Sequence, residues 1–169
     1  LKTAGIEIVT RQFNAKIAAV ETAIAPARPL SLKINAWETR WPLNAYRERD
    51  ASKLSRVMLD RLAEAEAMTL DDYRQALLER ERARALYAGL ESECEACVTL
   101  SAPAAAPLGL GSTGDPVCTV HASLLGIPAV SLPVLQDDGL PLGLQVTGFA
   151  HGDAATFAAA AWISGISGQ

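Results

Sequence analysis

Long apolar runs, aromatic side chains and basic residues in the C-terminal part are all scarce in this sequence, and each scarcity excludes something. No stretch approaches the ~18 consecutive apolar residues of a membrane-spanning helix, so no membrane is expected as a partner. Val98 to Gln169 contains no Lys or Arg; Asp115, Asp137, Asp138 and Asp153 are its only charged side chains. The net charge is −4 and the pI about 5.2. Nucleic-acid binders carry a basic stripe that this chain lacks, so no nucleic acid is expected either. Three cysteines, an odd number, argue against a disulfide framework and for a reducing, cytoplasmic compartment. The first residues, Leu1-Lys2-Thr3-Ala4-Gly5, offer neither an initiator Met nor a signal-peptide pattern. They read as the interior of a longer chain. Aromatics are only 5% of the residues, which leaves the interior to Leu, Ala, Val and Ile. What is present is ample for a core: 50% of the 169 residues are hydrophobic, which excludes disorder.

Charge divides the chain. Arg47–Arg84 holds nine basic and nine acidic residues in 38 positions, a solvated helical pattern, whereas the segment after Val98 reads as mostly buried. Gly5-Ile6-Glu7-Ile8-Val9 predicts a short strand. Phe13, Ile17, Val20 and Ile24 have helical spacing, ended by Pro26. Ser31–Trp41 is ambiguous. Helix resumes near Asp50, with Leu54, Val57, Met58, Arg61 and Leu62 on one stripe. Thr69 with Asp72 three residues later resembles a capping box, opening a helix whose inner face is Tyr73, Ala76, Leu77, the Arg84 stem and Tyr87. Ala96–Leu100 predicts a buried strand, and Pro103 and Pro107 a loop. Val117–Leu125 predicts a helix and Ala129–Leu132 a strand. Asp138-Gly139 is a hairpin signal, with Leu142–Gly148 returning. Asp153 caps a final helix, 154–163. Residues 1–97 are thus a mostly helical portion with a short N-terminal strand. Residues 98–169 are a sheet-forming portion with a site-wall loop and a C-terminal helix. Together they predict part of one larger α/β domain, a mixed sheet flanked by helices and incomplete within this chain.

The residues supply no convincing nucleophile, base or metal cage. Cys94-Glu95-Ala96-Cys97 is a CxxC, but a zinc site needs four ligands and no second pair exists. A redox CxxC sits at a helix N-terminus, and this one falls at a helix end or strand start. The two thiols therefore read as structural. His121 lies in an apolar helical stretch and reads as a core or lining residue; His151 reads as an exposed loop residue. Ser112, His121 and Asp115 make a triad only on paper, since no G-x-S-x-G elbow orders them. The loop Gly109–Asp115 lacks the P-loop Lys and carries an Asp where an anion would sit. Its simplest role is a cap by Thr113 or Asp115, ahead of Pro116 in the first helical turn. Arg74, Arg80, Arg82 and Arg84, matched by Glu79 and Glu81, read as a solvated helix face. No cofactor or metal is called for.

Three blocks then become recognisable in order. They are Gly111-Ser112-Thr113-Gly114-Asp115-Pro116, Leu124–Pro133 (LLGIPAVSLP) and Asp138–Val146 (DGLPLGLQV). Together they resemble the C-terminal end of amidase signature enzymes. The STGDP block and the final helix with Ala154–Trp162 (AATFAAAAW) are most similar to the malonamidase-like branch acting on small amides. Glu95–Pro103 is similar to the family's D-x-L-x-x-P-x-x-P strand and loop, with the acid and first proline altered. Thr119 and Ala122 stand where the family often has Asn and Trp, and His121 where Pro is common.

The resemblance implies amide hydrolysis by a Ser nucleophile, a bridging Ser in a cis peptide and a neutral Lys base, with backbone N–H groups holding the oxyanion. Those residues belong to the family's upstream G-G-S-S-G-G region, which this sequence does not contain, so no catalytic residue carries over. Thr113, Gly114 and Asp115 match the family's TG-D loop at the substrate-pocket rim, and Gln145 matches the strand Gln after the hairpin. The implied partners are a small-molecule amide substrate, in the intact enzyme, and either a homo-oligomer or a complementing N-terminal part. The alternatives are a protein like the amidase-signature subunit of the tRNA-dependent amidotransferases, and a non-catalytic remnant that binds a partner.

Overall fold

A computed structural model describes residues 5–167. Six helices, α1 (Ala15–Ile24), α2 (Ala27–Asp50), α3 (Arg56–Ala67), α4 (Leu70–Ala88), α5 (Val120–Leu125) and α6 (Asp153–Ser167), accompany three strands. These are β1 (Cys97–Leu100), β2 (Ala129–Asp137) and β3 (Leu140–Thr147). The fold class is the expected α/β arrangement with an open sheet; its strands here pair antiparallel in the order β1-β3-β2.

The helical half follows local chemistry closely. Asn14 caps α1 by accepting from the Lys16 and Ile17 N–H groups, and Pro26 separates α1 from α2. The ambiguous segment Ser31–Trp41 is helical throughout, and α2 even runs through Pro42. Tertiary contacts sustain it: Trp37 stacks on Tyr73 of α4 at 5.4 Å, and the Arg40 guanidinium lies over the Trp37 ring at 4.1 Å. Asp50 ends α2 and does not begin a helix; its carboxylate caps a 3-10 turn at Ala51–Lys53, and Ser55 caps α3. Leu62 and Ala65 of α3 are fully buried. Thr69 and Asp72 form the full reciprocal capping box on α4.

Several expectations need correction. The segment after Val98 is not mostly buried, since residues 106–117 are exposed throughout. Gly5–Val9 is not a strand: Gly5 sits in a turn and the following residues pair with nothing in the sheet. β1 is not buried; it is an outer strand with Val98, Thr99 and Leu100 exposed, because only β3 flanks it among the described residues. Asp153 is the first residue of α6, where its charge favours the helix dipole, and not the residue before it. The arginine face of α4 is not uniformly solvated. The Arg80 and Arg84 Nε atoms are buried without a hydrogen-bond partner. Arg84 closes over Gly126, where an added Cβ would stand 3.1 Å from its guanidinium.

Burial is organised in three clusters. Val20, Ala83, Tyr87, Leu90, Leu125 and Phe149 join α1, α4 and α5 to the end of the sheet. Ala27, Leu30, Ile34, Ala76 and Leu124 join α2, α4 and α5. Leu132 and Val146 pack one sheet face against Ala160 and Ile163 of α6. The period-2 alternation of strands leaves the opposite sheet face to the polar positions.

Candidate functional site

Ala96, Val130, Leu132, Leu144 and Val146 turn toward α6, so their neighbours in sequence turn the other way. Pairing then fixes that second face row by row. Cys97, Thr147 and Ala129 share one row; Thr99, Gln145 and Ser131 share the next. Beyond them the Ser101 N–H donates to the Gly143 carbonyl. A polar stripe thus crosses all three strands.

Its inner end is buried. Thr147 is inaccessible, and its hydroxyl lies 2.9 Å from Tyr87 OH and 3.4 Å from the Cys97 carbonyl. A hydroxyl has one proton to give. Thr147 donates it to the carbonyl, so Tyr87 donates to Thr147. Burial first, and the neighbouring Cys97 second, raise the Tyr87 phenol well above its ordinary pKa, so it stays a neutral donor.

The middle of the stripe is Gln145, 3% exposed, whose amide Nε2 donates to the Cys118 carbonyl at 2.9 Å. Cys118 ends the 3-10 turn Pro116–Cys118, and Asp115 begins it: the Asp115 carboxylate accepts the Val117 N–H at 3.0 Å. The same oxygen receives Arg28 of α2 at 2.7 Å. Of the two proposed caps, Asp115 is therefore the one the structure uses. Thr113 and Gly114 form the exposed crest of this loop, with Gly114 at φ +90° and its N–H donated to Ser112 Oγ. Asp115 and Gln145, far apart in sequence, hold the two ends of one turn.

The outer end is open. Ser101 and Ser131 bridge the sheet with hydroxyls 2.6 Å apart, passing directly above Gly143. Sequence reasoning missed Thr99, Ser101 and Ser131. The available signal was the spacing itself, hydroxyl residues at alternate positions of apolar strands. Ser112, Asp115 and His121 are not joined by any hydrogen bond among the described residues, so they form no triad. His121 is buried on α5, and burial lowers its pKa below the ordinary imidazole value.

Two concavities lie away from this loop. The larger, about 390 Å³, lies between the Glu91–Glu95 turn and the start of α6; a second, about 230 Å³, lies where α2 and α4 meet α5 near Arg80 and Ser123. Neither is lined by Thr113, Gly114, Asp115 or Gln145. Among the described residues no cluster of three or more metal-ligating side chains occurs, and no helix is long and apolar enough to cross a membrane.

No family profile matches the chain. A glutamyl-tRNA(Gln) amidotransferase subunit from Hyphomonas neptunium is 39% identical over 79 residues, covering 42% of this chain and 16% of that protein. A fatty acid amide hydrolase from Medicago truncatula is 33% identical over 130 residues, 69% of this chain and 21% of that one. Among solved structures, an amidase superposes with a TM-score of 0.74 at 25% identity, over 83% of this chain and 36% of its own. A bacterial aryl acylamidase of the amidase signature family superposes at 0.60 with 15% identity, over 77% of this chain and 31% of its own. This is the C-terminal region of the amidase-signature fold. The chain spans about a third of those solved amidases and about a fifth or less of those curated relatives.

Proposed function

We propose that this chain is the C-terminal part of an amide hydrolase of the malonamidase-like branch, acting on a small linear amide. The observation that carries this reading is the convergence of the family-like blocks on one turn. The TG-D loop ends in Asp115, the hairpin block supplies Gln145, and the two clamp Pro116–Cys118 between the sheet and Arg28. In this reading Thr113, Gly114, Asp115 and Gln145 belong to the pocket rim. The attacking Ser, the bridging Ser and the Lys base lie upstream. Burial of that Lys keeps it neutral enough to accept the nucleophile's proton.

Two activity measurements test the proposal. The isolated chain is expected to hydrolyse no small amide above background. Joined to an upstream segment carrying G-G-S-S-G-G and its Lys, it is expected to turn over a small aliphatic amide, and Gln145→Ala to lower kcat/KM by about tenfold through loss of the Cys118 tether (~1.4 kcal/mol). Turnover by the isolated chain, abolished by Ser112→Ala, would overturn the assignment.

A second reading, a glutamyl-tRNA(Gln) amidotransferase subunit, draws on the relatives of that name. The absence of Lys and Arg after Val98 gives no tRNA-binding surface in that segment. Activity only on an amide donor coupled to an aminoacyl-tRNA acceptor would favour this second reading.

A further inference from the structure

The motif left unused by the amidase reading is Cys94-Glu95-Ala96-Cys97. Both thiols are free and half-buried, and their Sγ atoms face each other at 4.0 Å. Cys94 follows the short turn after α4, where its thiol donates to the Leu90 carbonyl, and it lines the 390 Å³ groove. Cys97 is the first residue of β1, and its carbonyl is held by Thr147. No third metal-ligating residue joins them among the described residues, so a metal cage is not the fit.

We propose that Cys94 and Cys97 are a two-electron redox pair that closes to an intrachain disulfide, fastening the end of the α4 region to the first residue of β1. A disulfide needs its sulfurs about 2.05 Å apart. Closure brings the two side chains toward each other by rotation, and Glu95 and Ala96 between them belong to no helix or strand. The groove gives a small oxidant access to Cys94.

The chemistry balances with a low-molecular-weight disulfide such as oxidised glutathione. One cysteine thiolate attacks a glutathione sulfur, that S–S bond breaks, and one glutathione thiolate leaves. The second cysteine thiolate then attacks the sulfur of the first and expels the other glutathione. The protein loses two electrons and two protons, and both pass to the two glutathione thiols. Each cysteine acts once as nucleophile, so deprotonation of Cys94 lies on the path in either order. Burial, with Cys97 beside it and Glu95 and Glu93 nearby, pushes the Cys94 thiol up to about 12. Tyr87 faces the same pair from α4 and stays neutral. The pair is therefore a slow switch, unlike the acidic thiols of disulfide oxidoreductases.

The whole chain would be equilibrated across reduced-to-oxidised glutathione ratios, acid-quenched, alkylated and mapped by peptide mass. Cys94 and Cys97 are expected to disappear together as one peptide lighter by two hydrogens, with Cys118 alkylated throughout. The initial rate should rise about tenfold per pH unit between 7 and 9. In Cys94→Ser, Cys97 should remain a thiol or carry one glutathione. Thiols that stay alkylatable at full oxidation would overturn the proposal. So would arrest at mixed disulfides in the unmutated chain, or cross-links between chains.

Discussion

Gly143 shows how one missing Cβ shapes the polar stripe. It lies on the central strand beneath the Ser101–Ser131 bridge, and a side chain there would overlap both hydroxyls. Gly165, on α6, has nothing within 4 Å of its would-be Cβ. Gly143→Val is therefore expected to destabilise by about 1–3 kcal/mol, the usual cost of forcing volume into a packed site. That corresponds to roughly 2–4 °C in Tm per kcal/mol at this chain length. Gly165→Val should leave Tm nearly unchanged, since it removes a flexible residue from a helix with room around it. Differential scanning calorimetry on both variants decides; equal midpoints would refute the steric account. The sequence places Gly143 inside a strand, but the reason it matters, a hydrogen bond between Ser101 just past β1 and Ser131 of β2, needs the register. His121 offers a second residue-level test. Its folded-state pKa lies below the ordinary value near 6.5, so the folded chain resists protonation while the unfolded chain does not. Its neutral form costs nothing above that value, and stability falls as pH drops from about 6.5 toward the folded pKa. His121→Leu should flatten this part of a stability-versus-pH curve measured by urea unfolding; an unchanged slope between pH 7 and 5 would count against a buried neutral imidazole.

Elements whose ends and faces are set by neighbours in sequence were readable; those set by distant partners were not. α4 is legible because its cap and its inner stripe are both local. Thr69→Ala should cost about 1 kcal/mol. Asp72 is held below the usual carboxylate range chiefly by the Thr69 N–H and hydroxyl. Its support is present above the unfolded pKa near 4 and is lost as pH falls through the folded one. The gap between wild type and Thr69→Ala should accordingly narrow below pH 4 in chemical unfolding experiments. The hairpin was equally legible, since Asp138 and Gly139 both adopt positive φ, as a two-residue turn between twisted strands requires. By contrast, Ser31–Trp41 is helical because Trp37 and Glu38 find Tyr73 on another helix. Gly5–Val9 alternates like a strand but meets no partner strand. β2 continues past Pro133 only because a register shift between Leu132 and Leu135 absorbs the missing N–H on an outer strand. Of the candidate site, the TG-D loop and Gln145 came from motif resemblance. The Arg28 and Cys118 contacts that tie them together span dozens of residues and leave no local trace.

At the scale of the whole molecule, the sheet is left open at both edges within the described residues. Within the described residues both β1 and β2 are outer strands of a three-stranded sheet, and an outer strand presents unpaired N–H and C=O groups to any passing chain. Val98 and Leu100 on β1 are each more than a third exposed, and Leu108 and Leu110 in the following loop are wholly exposed. Apolar surface of this kind beside a free edge marks a contact region. The chain alone is therefore expected to self-associate, with a weight-average mass that rises with concentration in sedimentation velocity. Val98→Lys should shift that curve toward the monomer, because a charge on an outer strand blocks edge-to-edge pairing. It should do so with a stability change within about 0.5 kcal/mol, since the site is exposed. Leu108→Ser with Leu110→Ser separates the two contributions: if loop burial drives association, this pair will act where Val98→Lys does not. A concentration-independent monomer with one sharp unfolding transition would mean instead that the three strands suffice, and that the exposed loop is simply solvated.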